Sequence, residues 1–167
     1  ELIWEIPVKR NKNSSLQEGR RMLLGDMIRG NSRKHPDKTA VVLTGTRYTY
    51  SQFNSRINRL ANALLDMGMG RGDRVAVLAD TCLQCVEVYF ATAKAGMACV
   101  PINNTLDEGG LSYIIDNSEA TALIFGDKFM KRVNSILGGL NTVKNLIVIG
   151  KASGVEGYEE LLSQYSA

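Results

Sequence analysis

The chain has 167 residues and a net charge of +3, with 44% hydrophobic and 22% charged residues. These values are typical of a soluble globular protein with one well-buried core. No apolar run approaches the ~20 residues of a membrane span, and the N-terminal residues lack the layout of a signal peptide, so we expect a cytoplasmic protein with no membrane span.

The positive charge is concentrated in residues 1–38, which hold nine Lys or Arg residues against five Asp or Glu. A basic segment can bind nucleic acid or an anionic membrane. Here the basic residues are scattered and are not interleaved with aromatic residues for base stacking. We therefore interpret them as a solvated helical face and expect no nucleic-acid partner.

Four elements are predicted before residue 73. A helix is expected from Ser15 to about Lys34, because its apolar residues share one face and a proline soon follows. A β-hairpin comes next, with strands at Thr39–Leu43 and Arg47–Tyr50. Ser51 is expected to cap a second amphipathic helix, and Gly68 to end it by entering the left-handed region.

After Asp73 short apolar runs alternate with helical segments, which is typical of a parallel sheet. We predict an α/β fold with a mostly parallel sheet and helices on both faces, preceded by a helix, a hairpin and a second helix. The expected subdomains are residues 1–72, which would pack on another part of a larger protein, and residues 73–167. The predicted strands are Val75–Ala79, Met97–Ile102, Ala120–Phe125 and Leu146–Ile149; the helices are Leu83–Ala95, a segment around Leu111–Ile115, Lys128–Leu137 and Tyr158–Tyr165, the last after a loop at Gly150–Gly157.

The glycines between residues 68 and 72 resemble a dinucleotide-binding fingerprint only superficially. They follow a helix and precede a strand, which is the reverse of the context that places a pyrophosphate at a helix N-terminus. A helix end and a tight turn are the better interpretation.

Cys82 and Cys85 form a Cys-x-x-Cys motif at the start of a helix, a position where the pKa of a thiol can be lowered. A thiol oxidoreductase is therefore one alternative function. Because neighbouring residues supply no cation and the helix is apolar, we interpret both thiols as core side chains with raised pKa values and slow reactions. With Cys99 and a single histidine, the cysteines have neither the spacing of a disulfide framework nor that of a metal site.

Polar and basic side chains follow two of the predicted strands. Asn103 and Asn104 come after the second strand of the sheet, at the carboxyl edge where open α/β sheets bind ligands; an Asx turn with a helix cap is the structural alternative. Lys128, Lys131 and Arg132 follow the third strand and can meet a phosphate or form a solvated helical face. No phosphate-binding P-loop, G-x-S-x-G motif or metal-ligand spacing is present, so the residues by themselves assign no catalytic group.

Several segments in order resemble the N-terminal part of the superfamily of acyl-CoA synthetases, adenylation domains and luciferases. The resemblance extends from about His35 to Leu162. The segments that carry it are HPDK at residues 35–38, TYSQF at residues 49–53, GDRVAV at residues 72–77, KAG at residues 94–96 and VPIN at residues 100–103.

The resemblance implies an intact enzyme that uses ATP, CoA and Mg²⁺ to convert a carboxylic acid into an acyl-adenylate and then a CoA thioester. It implies that Asn103 and Asn104 border the pantetheine channel and that Lys131 and Arg132 approach the CoA phosphates. The phosphate loop and the catalytic lysine of such enzymes would lie after residue 167, so we expect the chain alone to be inactive and to hold no ligand. The expected partners are the remainder of the same enzyme and a second copy of the chain.

The residues after the second strand look more like CoA ligases, including medium- and long-chain types, than like peptide-synthetase adenylation domains. An adenylation-domain fragment and a non-catalytic interaction module nevertheless remain alternatives. The residues do not indicate which carboxylic acid is activated.

Overall fold

The computed structural model describes residues 23–43, 45–151 and 153–167. The first part of the helix predicted from Ser15 lies outside these residues. The elements found within them are α1 (Leu24–Lys34), β1 (Thr39–Leu43), β2 (Thr46–Thr49), α2 (Tyr50–Asp66), β3 (Arg74–Leu78), α3 (Leu83–Ala95), β4 (Ala98–Pro101), α4 (Glu108–Asn117), β5 (Ala122–Gly126), a 3₁₀ turn (Asp127–Phe129), α5 (Met130–Leu137), β6 (Asn145–Ile149), β7 (Glu156–Gly157) and α6 (Tyr158–Ser163).

The hairpin of β1 and β2 is antiparallel, as predicted, but the cap of α2 is not the predicted residue. Thr49, rather than Ser51, is the N-cap, and its side chain accepts a hydrogen bond from the Gln52 amide while the Gln52 side chain accepts one from the Thr49 amide. This reciprocal capping box satisfies two amides that a helix start leaves free. At the other end Gly68 has a φ of 81° and stops the helix, as expected.

The remaining strands form one parallel sheet in the order β4-β3-β5-β6-β7. The α/β fold class and the parallel sheet are thus confirmed. The expected loop at residues 150–157 is partly wrong, because the two-residue strand β7 lies inside it and pairs with Ile147 and Val148 of β6.

Helices cover both faces of the sheet, which explains why the strands read as continuous apolar runs. On one face, side chains of α2, α3 and α6 pack with Val75 and Val77 of β3. On the other, side chains of α4 and α5 pack with Ala76 and Leu78. Alternate residues of one strand thus enter different cores.

Helix α2 belongs to the first of these cores although it precedes the sheet in sequence. Leu60 and Leu64 are fully buried there. The residues that follow α6 are bonded to α2: the Tyr165 hydroxyl donates to Asp66 at 2.8 Å, and the Asn62 side-chain amide donates to the Ser166 carbonyl at 3.1 Å. A subdomain boundary at residue 72 stays a prediction.

None of the helices among the described residues combines the length and the apolar character needed to cross a membrane.

Candidate functional site

The strand order creates a switch point at the carboxyl edge of the sheet. The chain moves from β3 to β4 on one side and then returns to place β5 on the other side of β3. Connections that leave neighbouring strands toward opposite faces open a crevice between their carboxyl ends, and open α/β sheets bind ligands in such crevices. The crevice here lies between β3 and β5.

An ion pair bridges this crevice. Asp80 follows β3, Lys128 follows β5, and the Lys128 ammonium contacts the Asp80 carboxylate. The other oxygen of Asp80 accepts a hydrogen bond of 2.8 Å from the side-chain amide of Asn104, which follows β4. Three neighbouring strands therefore contribute to one polar cluster. Both charged side chains are about half exposed, 54% and 55%, so the pair adds little stability and is open to an incoming ligand.

Asn103 has a local structural role. Its side-chain oxygen accepts hydrogen bonds from the amide and the hydroxyl of Thr105, at 3.0 and 2.9 Å, which is the Asx turn considered above. The next helix is capped by Asp107, whose carboxylate accepts from the Gly110 amide at 2.8 Å. These bonds fix the course of the chain that follows β4.

Arg132 ties that segment to α5. One guanidinium nitrogen donates to the Asn104 carbonyl at 2.9 Å, and the guanidinium carbon lies 6.0 Å from the centre of the Phe129 ring. The guanidinium has five N–H donors, so donors remain for an anion. Lys131, the preceding residue on the same helix, is exposed.

The structure thus brings together two of the four predicted site residues, Asn104 and Arg132, with Lys128 beside them. Asn103 is adjacent but occupied by its own turn, and Lys131 lies on the exposed surface of α5. The sequence prediction missed Asp80, which connects the cluster; a charged residue directly after a buried strand was the available signal.

The structure agrees with the interpretation of the cysteines as core thiols for Cys85, which packs against the first core, but not for Cys82. Cys82 and Cys85 are only half buried, with their sulfur atoms 3.4 Å apart. A hydrogen bond from Cys85, assisted by the first amides of α3, lowers the pKa of Cys82 to about 6, although burial acts in the opposite direction. The same contact, together with burial, raises the pKa of Cys85.

A second polar cluster lies in the core, away from the crevice. Glu87 of α3 is fully buried and accepts hydrogen bonds from Arg56 of α2, at 3.1 Å to one oxygen, and from the Tyr158 hydroxyl at 2.9 Å. Arg56 also forms a bidentate pair with Glu159, at 2.7 and 2.8 Å. Burial raises the pKa of Glu87, while Arg56 opposes the shift. With its partners all on α2 and α6, this cluster joins three helices.

Lys94 of α3 forms a third polar contact between helices. Its ammonium donates to the side-chain oxygens of Asn54 and Asn58, at 2.5 and 2.7 Å. Partial burial, and secondarily the charge of Arg29, lowers the pKa of Lys94 to about 8. The two asparagine oxygens are neutral and do not offset the desolvation of the ammonium, so the pKa of Lys94 stays lowered.

The Mg²⁺ ion that the sequence resemblance implies needs several oxygen ligands in an octahedral arrangement. In residues 23–43, 45–151 and 153–167 no three His, Cys, Asp or Glu side chains cluster in a way that suits a metal. The carboxylate in the crevice, Asp80, is paired with Lys128. This part of the chain does not fit a Mg²⁺ site, and we assign it no metal-dependent step.

Comparison with known sequences identifies a family for almost the whole described region. The sequence model of the family described as AMP-binding enzyme matches residues 28–165. The medium/long-chain-fatty-acid–CoA/3-oxocholest-4-en-26-oate–CoA ligase of Mycobacterium marinum is 31% identical over 134 residues, which is 75% of this chain and 24% of the relative. The acyl-CoA ligase sidI of Beauveria bassiana is 32% identical over 148 residues, or 84% of this chain and 26% of the relative.

Solved structures give the same result. The N-terminal domain of FACL13 from Mycobacterium tuberculosis, solved with an inhibitor, superimposes with a TM-score of 0.76 at 29% identity, and the match covers 87% of this chain and 36% of that one. The chain therefore spans about a quarter of the length of the curated relatives and about a third of this solved domain.

Proposed function

Because this chain belongs to the AMP-binding enzyme family, in which its relatives are acyl-CoA ligases, we propose that the protein is an ATP-dependent acyl-CoA ligase. The match over residues 28–165 carries this proposal. The cluster of Asp80, Asn104, Lys128 and Arg132 at the switch point supports it, since this edge is where such sheets bind ligands.

The proposed reaction has two steps. A carboxylate oxygen of the acid attacks the α-phosphorus of ATP, which forms an acyl-adenylate and releases pyrophosphate. The CoA thiolate then attacks the acyl carbon, which forms the thioester and releases AMP. Because the chain spans about a quarter of its relatives' length, we assign no catalytic group to it and propose that it is inactive alone.

The proposed role of this chain is on the CoA side of the reaction. Asn103 and Asn104 shape the segment after β4 and would border the pantetheine channel. Arg132 holds that segment through the Asn104 carbonyl and keeps further N–H donors for a phosphate. Lys131 is exposed on the same helix and can reach an anion as a point charge.

For the acid, we propose an apolar carboxylate such as a medium- or long-chain fatty acid. The Mycobacterium marinum relative carries both fatty-acid and steroid-acid activities in its name, and both are apolar acids. Comparing kcat/KM across acids of increasing chain length tests this assignment; a preference for short or charged acids would contradict it.

The central experiment separates the two half-reactions in an active enzyme that contains the chain. Adenylation is measured by carboxylate-dependent pyrophosphate exchange, and thioester formation by consumption of CoA. The variants are Lys131→Ala and Arg132→Ala. Loss of one charge-assisted contact costs about 1.5 to 3 kcal/mol, so we expect the KM for CoA to rise roughly tenfold to hundredfold while pyrophosphate exchange is retained.

Lys144→Ala is the matched control. Lys144 is also an exposed lysine, but it directly precedes β6 at the opposite, amino edge of the sheet, so its loss should change neither half-reaction. If Lys131→Ala and Arg132→Ala leave CoA kinetics as normal as Lys144→Ala does, the placement of CoA is wrong. Absence of carboxylate-dependent exchange in the unmodified enzyme would contradict the proposed function itself.

A further inference from the structure

The two cysteines at the start of α3 are arranged for reversible chemistry with each other. Cys82 directly precedes α3, and Cys85 lies in its first turn. Their sulfur atoms are 3.4 Å apart and both side chains are half buried. A disulfide bond needs about 2.05 Å between sulfurs, a distance that small side-chain rotations can reach from this starting point.

The two thiols differ in the way that stepwise disulfide formation requires. Cys82 has its pKa lowered to about 6 by the hydrogen bond from Cys85 and by the amides of the first helical turn, so it is mostly a thiolate near neutral pH. Cys85 has a raised pKa and keeps its proton, and its sulfur also lies 3.3 Å from the Asp80 carbonyl oxygen. The Cys82 sulfur is thus the nucleophile of the first step, and the Cys85 sulfur lies beside it for the second step.

We propose that Cys82 and Cys85 form a dithiol–disulfide redox site that is oxidised by small-molecule disulfides such as glutathione disulfide and reduced by thiols. The Cys82 thiolate attacks one sulfur of the oxidant, forms a mixed disulfide and releases a thiolate. Cys85 then gives up its proton, attacks the Cys82 sulfur and releases the second thiol. Two electrons pass from the protein to the oxidant, which leaves as two thiol molecules, one of them ionised.

Other roles for the pair fit the structure less well. A metal site needs more ligands, and no third His, Cys, Asp or Glu joins these thiols among the described residues. Cys99 packs against the core on β4, and burial raises its pKa to about 12, so it does not compete as a nucleophile. This inference stands independently of the acyl-CoA ligase proposal.

The position of the pair connects it to the crevice. Oxidation removes the thiol hydrogen of Cys85, whose sulfur lies 3.3 Å from the Asp80 carbonyl oxygen. The side chain of Asp80 holds Lys128 and Asn104. The oxidation state is therefore expected to affect the segment between β3 and α3, on which the polar cluster depends.

The test uses the purified, reduced protein in glutathione buffers of graded oxidised-to-reduced ratio, followed by acid quenching, alkylation and peptide mass analysis. We expect the Cys82–Cys85 disulfide to form in the folded protein, to reverse with excess reduced glutathione and to leave Cys99 alkylated. Cys85→Ser, which keeps a hydrogen-bond donor, should stop at a mixed disulfide on Cys82. Cys99→Ala should behave like the unmodified protein.

A pH profile separates this site from an ordinary pair of exposed thiols. Near pH 6 a thiol with a pKa of about 6 has a far larger thiolate fraction than a free cysteine, and its lower nucleophilicity offsets part of that gain, which leaves a reaction about tenfold faster. Cys82 in the Cys85→Ser variant should react with iodoacetamide at about that advantage over the same variant unfolded in urea. Near pH 9 both thiols are mostly ionised, so the order should reverse, because the lower nucleophilicity of Cys82 is then the main difference.

Three results would overturn the proposal. The first is a folded protein that forms no Cys82–Cys85 disulfide even in fully oxidised glutathione. The second is a disulfide that joins Cys99 instead. The third is a Cys82 that reacts in the folded state no faster than in urea near pH 6, with the fold verified by circular dichroism.

Discussion

The buried carboxylate of Glu87 provides the sharpest test of the packing between α2, α3 and α6. Replacing Arg56 by Met keeps an unbranched side chain of similar length but removes the guanidinium that faces Glu87 and Glu159. Glu87 then retains only the Tyr158 hydroxyl among the partners described above. A buried carboxylate without its counter-charge is the costly state in this region.

Removing one partner of a buried ion pair costs about 3 to 5 kcal/mol. The Arg56 side chain is 21% exposed, so in Arg56→Met water can partly solvate the Glu87 carboxylate. We therefore expect the lower value, about 3 kcal/mol. For a domain of this size that loss lowers Tm by roughly 6 to 12 °C. Adding Glu87→Gln, which can still accept from Tyr158, should restore most of the stability.

The loss should depend on pH. Burial raises the pKa of Glu87 in the folded state, so its contribution to stability is present below its unfolded value of about 4.3 and is lost as pH rises through the folded pKa. Without Arg56 the folded pKa rises further. Arg56 also lowers the pKa of Glu159, which adds stability above the unfolded value. Both effects make Arg56→Met more harmful at pH 8 than at pH 5.

The assay is urea unfolding at pH 5 and pH 8, monitored by circular dichroism. Arg29→Met is the matched control, because Arg29 pairs with Asp26 on the surface, where the side chains are 54% and 36% exposed, and such a pair contributes less than about 1 kcal/mol. The reasoning is refuted if Arg56→Met costs no more than this control, or if its cost is equal at the two pH values.

Three further predictions follow from other contacts. Gly150→Ala should cost about 1 to 3 kcal/mol in urea unfolding, because Gly150 has a φ of +111° and an added Cβ would lie 2.2 Å from a carboxylate oxygen of Asp127; an unchanged midpoint would contradict this. Lys94 has a folded pKa of about 8, below its unfolded value, so the protein should gain stability relative to Lys94→Met as pH rises from 8 toward 10.5; parallel curves would count against it. Amide exchange should be faster before Gly72 than in β3 if the boundary there separates two subdomains, except where a homodimer covers that surface; uniform protection in a monomer shown by sedimentation would exclude it.

The sheet was predictable because its strands have both faces covered. Runs such as Val75–Ala79 and residues 122–125 are apolar throughout, and glycines and helical segments separate them. Strand β7 was missed because its two residues, Glu156 and Gly157, are too short to show any period and lie in a glycine-containing loop. The cap at Thr49 was readable, since Gln52 stands three residues later as a capping box requires.

For the candidate site, the sequence indicated the location but not the contacts. The rule on carboxyl edges places Asn103 and Asn104 correctly, whereas the bond from Asn104 to Asp80 depends on side-chain directions that spacing does not determine. Cys82 was misjudged for a related reason: α3 is apolar over most of its length, but its N-cap lies at the edge of the sheet, where burial is incomplete.

The packing of α6 against α2 has a consequence for folding during synthesis on the ribosome. Arg56 and its partner Glu159 are separated by 103 positions in the sequence, and similar separations join Asn62 to Ser166 and Asp66 to Tyr165. A ribosome adds about 5 to 20 residues per second, so α2 emerges several seconds before the helix that covers it. During that interval the apolar face of α2, including Leu60 and Leu64, has only part of its final partners. Until α6 leaves the exit tunnel, the newly synthesised chain therefore exposes apolar surface that the finished fold covers.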